Sequence, residues 1–354
     1  MLGTLFDKVT GLFDKRFTLA LLLPVFAFAA GTGALVATMA GWSRTAAWWS
    51  HLDAARQVAL GVAAAAAVVV LAIIIGTQVV AMTRLLEGYW RSAWADKTVG
   101  GLGRWHEERR RDKLARAVQA AVATQVAQDA LASQAGQAAQ AEKAIRASAA
   151  AKASADLGYQ RSYLSFPPPP APVMPTRLGN ALRAAEAYPG DAERWGLDAV
   201  FWWPRLYLIL PDGARSQVDD ARAGLDQLVV LTMLSAAFGV VALALSGAGL
   251  NLTVGLSCAA GTFLLSRGSY LAAVTSATVF GELVRSCYDL FRGDLLTRLG
   301  WPMPPTLTRE RQLWGALGQQ LYRRGTSQQA EALLNAPRKP PAAAPGGAQP
   351  GAGQ

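Results

Sequence analysis

Residues 227–266, QLVVLTMLSAAFGVVALALSGAGLNLTVGLSCAAGTFLLS, contain no Asp, Glu, Lys, Arg or His between Asp226 and Arg267. One bilayer crossing by a helix takes about 20 apolar residues, so this run is too long for one span and right for two. Its middle, Gly247-Ala248-Gly249-Leu250-Asn251, supplies a Gly-rich reversal. The stretch therefore predicts a helical hairpin through a membrane, and the sidedness of every flanking segment follows from it.

Two further runs share this exclusion of charge. None falls between Arg16 and Arg44, nor between Arg56 and Arg84, and each gap exceeds a single crossing. A chain that is 52% hydrophobic and only 16% charged departs from ordinary soluble composition in the same direction. The expected fold is all-α and integral to the membrane, with four transmembrane helices in two hairpins, 17–83 and 226–267. The remainder divides into an interfacial N-terminal helix (1–16), a basic then Ala-rich cytoplasmic helix (84–160), a Pro-rich spacer with a motif segment (161–225), cytoplasmic amphipathic helices (268–335) and a disordered tail (336–354).

The net charge of +10 would suggest nucleic acid in a soluble protein. In a membrane protein it first sets the side. With the N-terminus inside, only Arg44 and Arg56 of the 34 Lys and Arg fall outside, while Lys8, Lys15, Arg16, Arg84, Arg91 and Arg267 stay at the inner surface. The positive-inside tendency then places both termini in the cytoplasm and the chain in the plasma membrane. Arg104, Arg109, Arg110, Arg111, Lys113 and Arg116 form a basic cluster that draws anionic lipid. It has no recognisable nucleic-acid-binding pattern, so nucleic acid is not an expected partner.

Local patterns fill in the rest. Leu5-Phe6-Asp7-Lys8 and Leu12-Phe13-Asp14-Lys15 repeat a heptad apart, which suits a helix lying in the interface. Ala29, Gly33, Ala37 and Gly41 make a small-residue ridge in the first span. Trp42, Trp48 and Trp49 form an aromatic belt beside His51. Residues 114–160 are rich in Ala and Gln, so a long exposed helix with little to bury is expected, with Gly136 as a possible break. Pro167 to Pro175 is a stiff spacer. Thr176 and Asp198 are candidate helix caps, with turns at Tyr188-Pro189-Gly190-Asp191 and Pro211-Asp212-Gly213. On the last long helix, Glu282, Arg285, Asp289 and Arg292 read as a solvated ladder of intrahelical pairs opposite Phe280, Leu283, Val284, Cys287 and Phe291. Thr308 to Arg324 reads as a further amphipathic helix, followed by a Thr326/Gln329 capping box.

No phosphate-binding Gly loop, metalloprotease helix, nucleophile elbow or Cys pair appears. His51 and His106 are expected on opposite sides of the membrane, so they cannot share a metal within one protomer. Cys258 and Cys287 give no disulfide framework. None of the spans up to Ser266 carries an ionisable side chain, which argues against a proton or ion pathway. No catalytic, cofactor-binding or metal residue is therefore expected, and an enzyme is not.

Leu85-Leu86-Glu87-Gly88-Tyr89-Trp90, Pro175-Thr176-Arg177-Leu178-Gly179-Asn180, Leu182-Arg183-Ala184-Ala185-Glu186 with Tyr188-Pro189, Gly196-Leu197-Asp198-Ala199-Val200 with Trp203-Pro204-Arg205-Leu206, and Gly281-Glu282-Leu283-Val284-Arg285 carry a resemblance. Together they resemble an uncharacterised family of bacterial, largely actinobacterial, multi-pass membrane proteins. The resemblance covers the spans and these segments, not the Ala-rich stretch, and implies an address rather than an activity. The expected function is a non-catalytic membrane scaffold or regulatory anchor whose cytoplasmic face binds a protein partner or a second copy. Candidate partner-binding residues are Arg177, Asn180, Asp198, Trp203, Arg205, Glu282, Arg285 and Asp289. The alternatives are an oligomeric pore, with Arg267 facing a polar cavity rather than the inner headgroups, and a membrane-bound enzyme acting on lipid.

Overall fold

The structure, a computed structural model, describes residues 21–90, 92–134 and 138–323. The expected N-terminal interfacial helix, the Gly136 break, the Thr326 capping box and the Pro-rich tail lie outside the described residues. The described residues are 85% helix, with no strand among them. Its helices are α1 (Leu23–Ala40), α2 (Trp42–Ser50), α3 (Ala54–Glu87), α4 (Ala93–Ala95), α5 (Gly101–Gln134), α6 (Ala138–Ser165), α7 (Arg177–Ala187), α8 (Ala199–Ile209), α9 (Asp212–Gly247), α10 (Leu252–Arg298) and α11 (Leu307–Gly318). A π-helical turn, Asp96–Gly100, joins α4 to α5. Two compact units divide the chain, one of Met1–Ala185 with Ser216–Leu283, the other of Glu186–Arg215 with Val284–Gln354.

In the first unit α1, α3 and α9 are long and apolar enough to cross a membrane. Only 11% of the most apolar stretch of α1 and of α3 is buried inside the chain, so most of their large apolar side chains, among them Val36, Val62, Val70, Ile73 and Ile74, face outward. The fourth expected span does not stand with them. Gly255, Ser257, Gly261, Thr262 and Ser266 dilute the apolar start of α10, and Arg267 then ends it. α10 continues without a break to Arg298, and α9 starts at Asp212, where a turn was expected.

The three apolar helices pack through Val25 of α1, Ala72 and Ile75 of α3, and Val230 and Leu234 of α9. The ridge expected on α1 is not where it meets its neighbours: nothing lies near Gly33, whereas Gly31 closes on the Phe238 ring. α9 and α10 approach at Gly239, where an added Cβ would sit 2.8 Å from Thr262 Oγ1. Hydroxyls join the same pair, with Thr232 Oγ1 donating to Ser269 Oγ at 3.0 Å and Ser266 Oγ to the Thr232 carbonyl at 3.1 Å. Small residues bring helices close, and hydroxyls then bridge them.

The Ala-rich stretch is not one exposed helix. α5 and α6 pack antiparallel, Val118 facing Gly158 and Asp129 accepting from Ser148 Oγ. Ala144, Ser148, Ala151 and Ala155 are buried at steps of four, three and four, the spacing of a heptad seam. The seam is made of small side chains, which let two helices come close.

The second unit has an aromatic core. Trp202 of α8 meets Trp314 of α11 edge to face at 4.9 Å, and both are buried. Trp203 lies 6.0 Å from Tyr288 of α10, whose hydroxyl donates to the Ala199 carbonyl at 2.9 Å. α11 takes its N-cap from Thr306 and runs on into a π-helical segment, Gln319–Arg323, so the helix covers the expected stretch up to the last described residue. Leu313, Trp314 and Leu317 are buried together, while Leu321 and Tyr322 are exposed.

Candidate functional site

The motif residues fall into two separate arrangements. In the first unit the C-terminus of α3, the start of α5 and the start of α7 meet around Pro175 and Thr176. α3 ends at Gly88 in the left-handed region (φ 96°), a conformation that Gly adopts freely. Thr176 Oγ1 donates to the Glu87 carbonyl at 2.8 Å and accepts from Gly179 N at 3.0 Å, capping α7 as the sequence predicts. α7 is drawn so close that a Cβ on Gly179 would stand 2.2 Å from the Glu87 carbonyl oxygen.

Asn180 completes this clasp. Its Oδ1 accepts from Met174 N at 2.7 Å, and its Nδ2 donates to the Met174 carbonyl at 3.0 Å and to Glu107 Oε2 at 3.4 Å. Glu107 is itself buried, accepting from Arg110 at 3.0 Å, with Arg177 Nε 3.7 Å from its other oxygen. A carboxylate withdrawn from water needs such partners. Asn180 is 0% exposed and fully engaged, so it offers nothing to a partner. Its role is to lock the clasp, correcting the expectation that it binds one. Asn180→Ala removes three hydrogen bonds and orphans buried groups, each worth about 1–3 kcal/mol. Thermal melting in detergent should fall measurably, whereas equal melting of variant and parent would show the bonds to be idle.

The second arrangement lies wholly in the second unit and mixes Arg with aromatics. Arg194 Nη1 donates to the Tyr188 hydroxyl at 2.8 Å with its guanidinium 3.9 Å from that ring. Tyr188 donates in turn to Asp289 at 2.9 Å. Arg292 covers Trp195 at 4.3 Å and pairs with Glu310 at 3.0 Å. Glu310 also accepts from Trp314 Nε1 at 3.3 Å. Arg285 is buried, 5.7 Å from the Tyr188 ring. The charges read as a solvated ladder are therefore not all in water: Arg285 faces the core, and Arg292 reaches a carboxylate on α11 instead of an intrahelical one. Arg285, like Asn180, is unavailable as a contact for a partner.

The other predicted site residues are more accessible. Asp198 is exposed and caps α8, accepting from Val200 N at 3.0 Å and Phe201 N at 3.3 Å. Trp203 and Arg205 are half-buried, Arg205 lying 4.0 Å over the Phe201 ring and donating to the Phe201 carbonyl. Glu282 and Asp289 are exposed. Arg267 is exposed as well, 5.9 Å from the Tyr270 ring, and does not sit in a buried polar pocket. Tyr270 sends its hydroxyl to Leu178 N at 3.4 Å as acceptor.

Glu107, Gly103 and Glu310 carry this geometry and no pattern singles them out, while Tyr188 is legible in the sequence only as part of a turn. A buried carboxylate within a basic run leaves one trace in sequence: Gly100, Gly103 and Glu107 recur on one helix face.

Burial pushes the Cys287 thiol up from its ordinary range, the reverse of what an activated nucleophile needs. Burial, with the Asp198 and Cys287 charges adding to it, pushes the Tyr288 phenol up as well. Among the described residues no three His, Cys, Asp or Glu gather as a metal site would require. The chain matches no family model, no curated protein and no solved structure.

Proposed function

We propose that the protein is a multi-pass membrane scaffold or regulatory anchor, non-catalytic, whose cytoplasmic second unit binds a protein partner. It crosses the bacterial plasma membrane four times, with the start of α10 as the fourth span and both termini inside. The single observation that supports this best is how the charged motif residues are spent. Glu107, Arg292 and Glu310 are paired and Arg285 is buried, while α8 turns Val200 and Leu208 outward beside Arg205. Polar chemistry tied up in packing suits a rigid platform, and exposed apolar residues beside Arg suit recognition. The outward Val, Leu and Ile of α1 and α3 favour lipid as their solvent.

Affinity purification from native membranes tests the reading. Leu208→Glu combined with Val200→Glu, both on the exposed face of α8, should strip specific proteins from the purified complex while leaving yield and melting unchanged. Retention of the same bound set would remove the scaffold reading. Ion flux through liposomes holding the purified protein would replace it with the oligomeric pore.

A further inference from the structure

Immediately after α3 the chain makes a second apolar surface that the core does not absorb. Trp94 is 72% exposed, Val99 52%, Leu102 68% and Trp105 50%. Scattered exposed apolar residues are ordinary, but four of this size on one short stretch are not.

Their outward aim is fixed from behind. Gly100 and Glu107 are buried and Gly103 is half-buried, and the three recur at steps of three and four residues along one face. A Cβ on Gly103 would lie 2.4 Å from the Pro175 carbonyl oxygen, so the start of α5 rests there on the bare backbone. Arg104 brackets the π-helical turn, donating to Asp96 Oδ1 at 2.8 Å and to the Asp96 carbonyl at 3.0 Å. With the inner face clamped to the clasp, Val99, Leu102 and Trp105 are left pointing away from it.

The same outward stripe changes character along the helix. Past Leu102 and Trp105 it continues at steps of three and four with Arg109, Lys113 and Arg116, all exposed. The Arg109 guanidinium lies 3.7 Å over the Trp105 ring. Glu107 is turned inward, and Glu108 and Asp112 flank the stripe without joining it. Large apolar side chains followed by cations on one face match a lipid surface with acyl chains below and anionic headgroups above. Trp and Tyr prefer the boundary between them.

We infer that residues 94–105 form an in-plane anchor, with Trp94, Val99, Leu102 and Trp105 inserted among the acyl chains of an anionic bilayer and Arg109, Lys113 and Arg116 on its headgroups. This rests on the proposal that α3 spans the membrane and names the lipid contact that follows it. The anchor holds the base of α5 against the bilayer and thereby fixes the direction in which the α5–α6 hairpin leaves it.

Nitroxide labels on the full chain in nanodiscs test this, with the spectrum of the parent protein subtracted to account for Cys258 and Cys287. The discs hold phosphatidylcholine alone or mixed with phosphatidylglycerol. Leu102→Cys and, as a second position, Trp94→Cys should collide more with oxygen than with a water-soluble nickel chelate. The preference should grow with phosphatidylglycerol and shrink in an Arg109→Glu, Lys113→Glu background. Val70→Cys, on the exposed face of α3, reports on the span itself. If Val70 is shielded from nickel while Leu102 and Trp94 are not, the anchor is wrong and the span stands. If all three meet nickel freely, the span reading falls first.

Discussion

Gly179→Ala should destabilise the protein severely even though alanine favours helix. The obstruction is at Cβ itself, 2.2 Å from the Glu87 carbonyl oxygen and 3.0 Å from Thr176 Oγ1. The neighbour that must yield is backbone at the end of α3, held by the same Thr176 hydroxyl that caps α7. Forcing a methyl into so tight a contact costs about 1–3 kcal/mol, and more if the clasp opens and exposes Glu107 and Asn180. Gly61→Ala is the matched control. Gly61 lies within α3 with open space around it, so the same change there should be neutral or mildly stabilising through helix propensity. Melting curves in detergent decide the matter, and indistinguishable midpoints for the two variants would show that α7 does not approach α3 this closely.

Trp314→Ala should cost about 3–5 kcal/mol, the usual range for removing a buried aromatic. The indole is 1% exposed, stacks on Trp202 and donates to Glu310. Its loss leaves a cavity beside the paired Arg292–Glu310 carboxylate and takes away one of that carboxylate's donors. The melting midpoint should fall by roughly 5 °C or more. Trp314→Phe keeps the edge-to-face contact and drops only the hydrogen bond, so it should recover most of the loss. A Phe variant as unstable as the Ala variant would assign the effect to the indole N–H instead of to packing.

These two sites differ in how far the sequence announces them. The apolar helices are legible because exclusion of charge is a property of neighbouring residues. The caps at Thr176 and Asp198 are legible because a cap acts on the next turn. The ridge on α1 and the solvated ladder on α10 were misread for the opposite reason. Whether Gly33 or Gly31 meets another helix depends on Phe238, and whether Arg285 faces water depends on Tyr188, both far along the chain. Alanine hides most completely. In residues 114–160 it reads as helix propensity with nothing to bury, because a methyl becomes a packing surface only when a second backbone comes close enough to use it.

That seam has a consequence for reach. Ala144, Ser148, Ala151 and Ala155 repeat with a seven-residue period, and an α-helix rises about 1.5 Å per residue. Adding or deleting seven residues in both helices of the pair changes its length by about 10 Å and returns every methyl to the same groove. The arm is thus a ruler graduated in heptads, its span adjustable in fixed increments without redesign of either end.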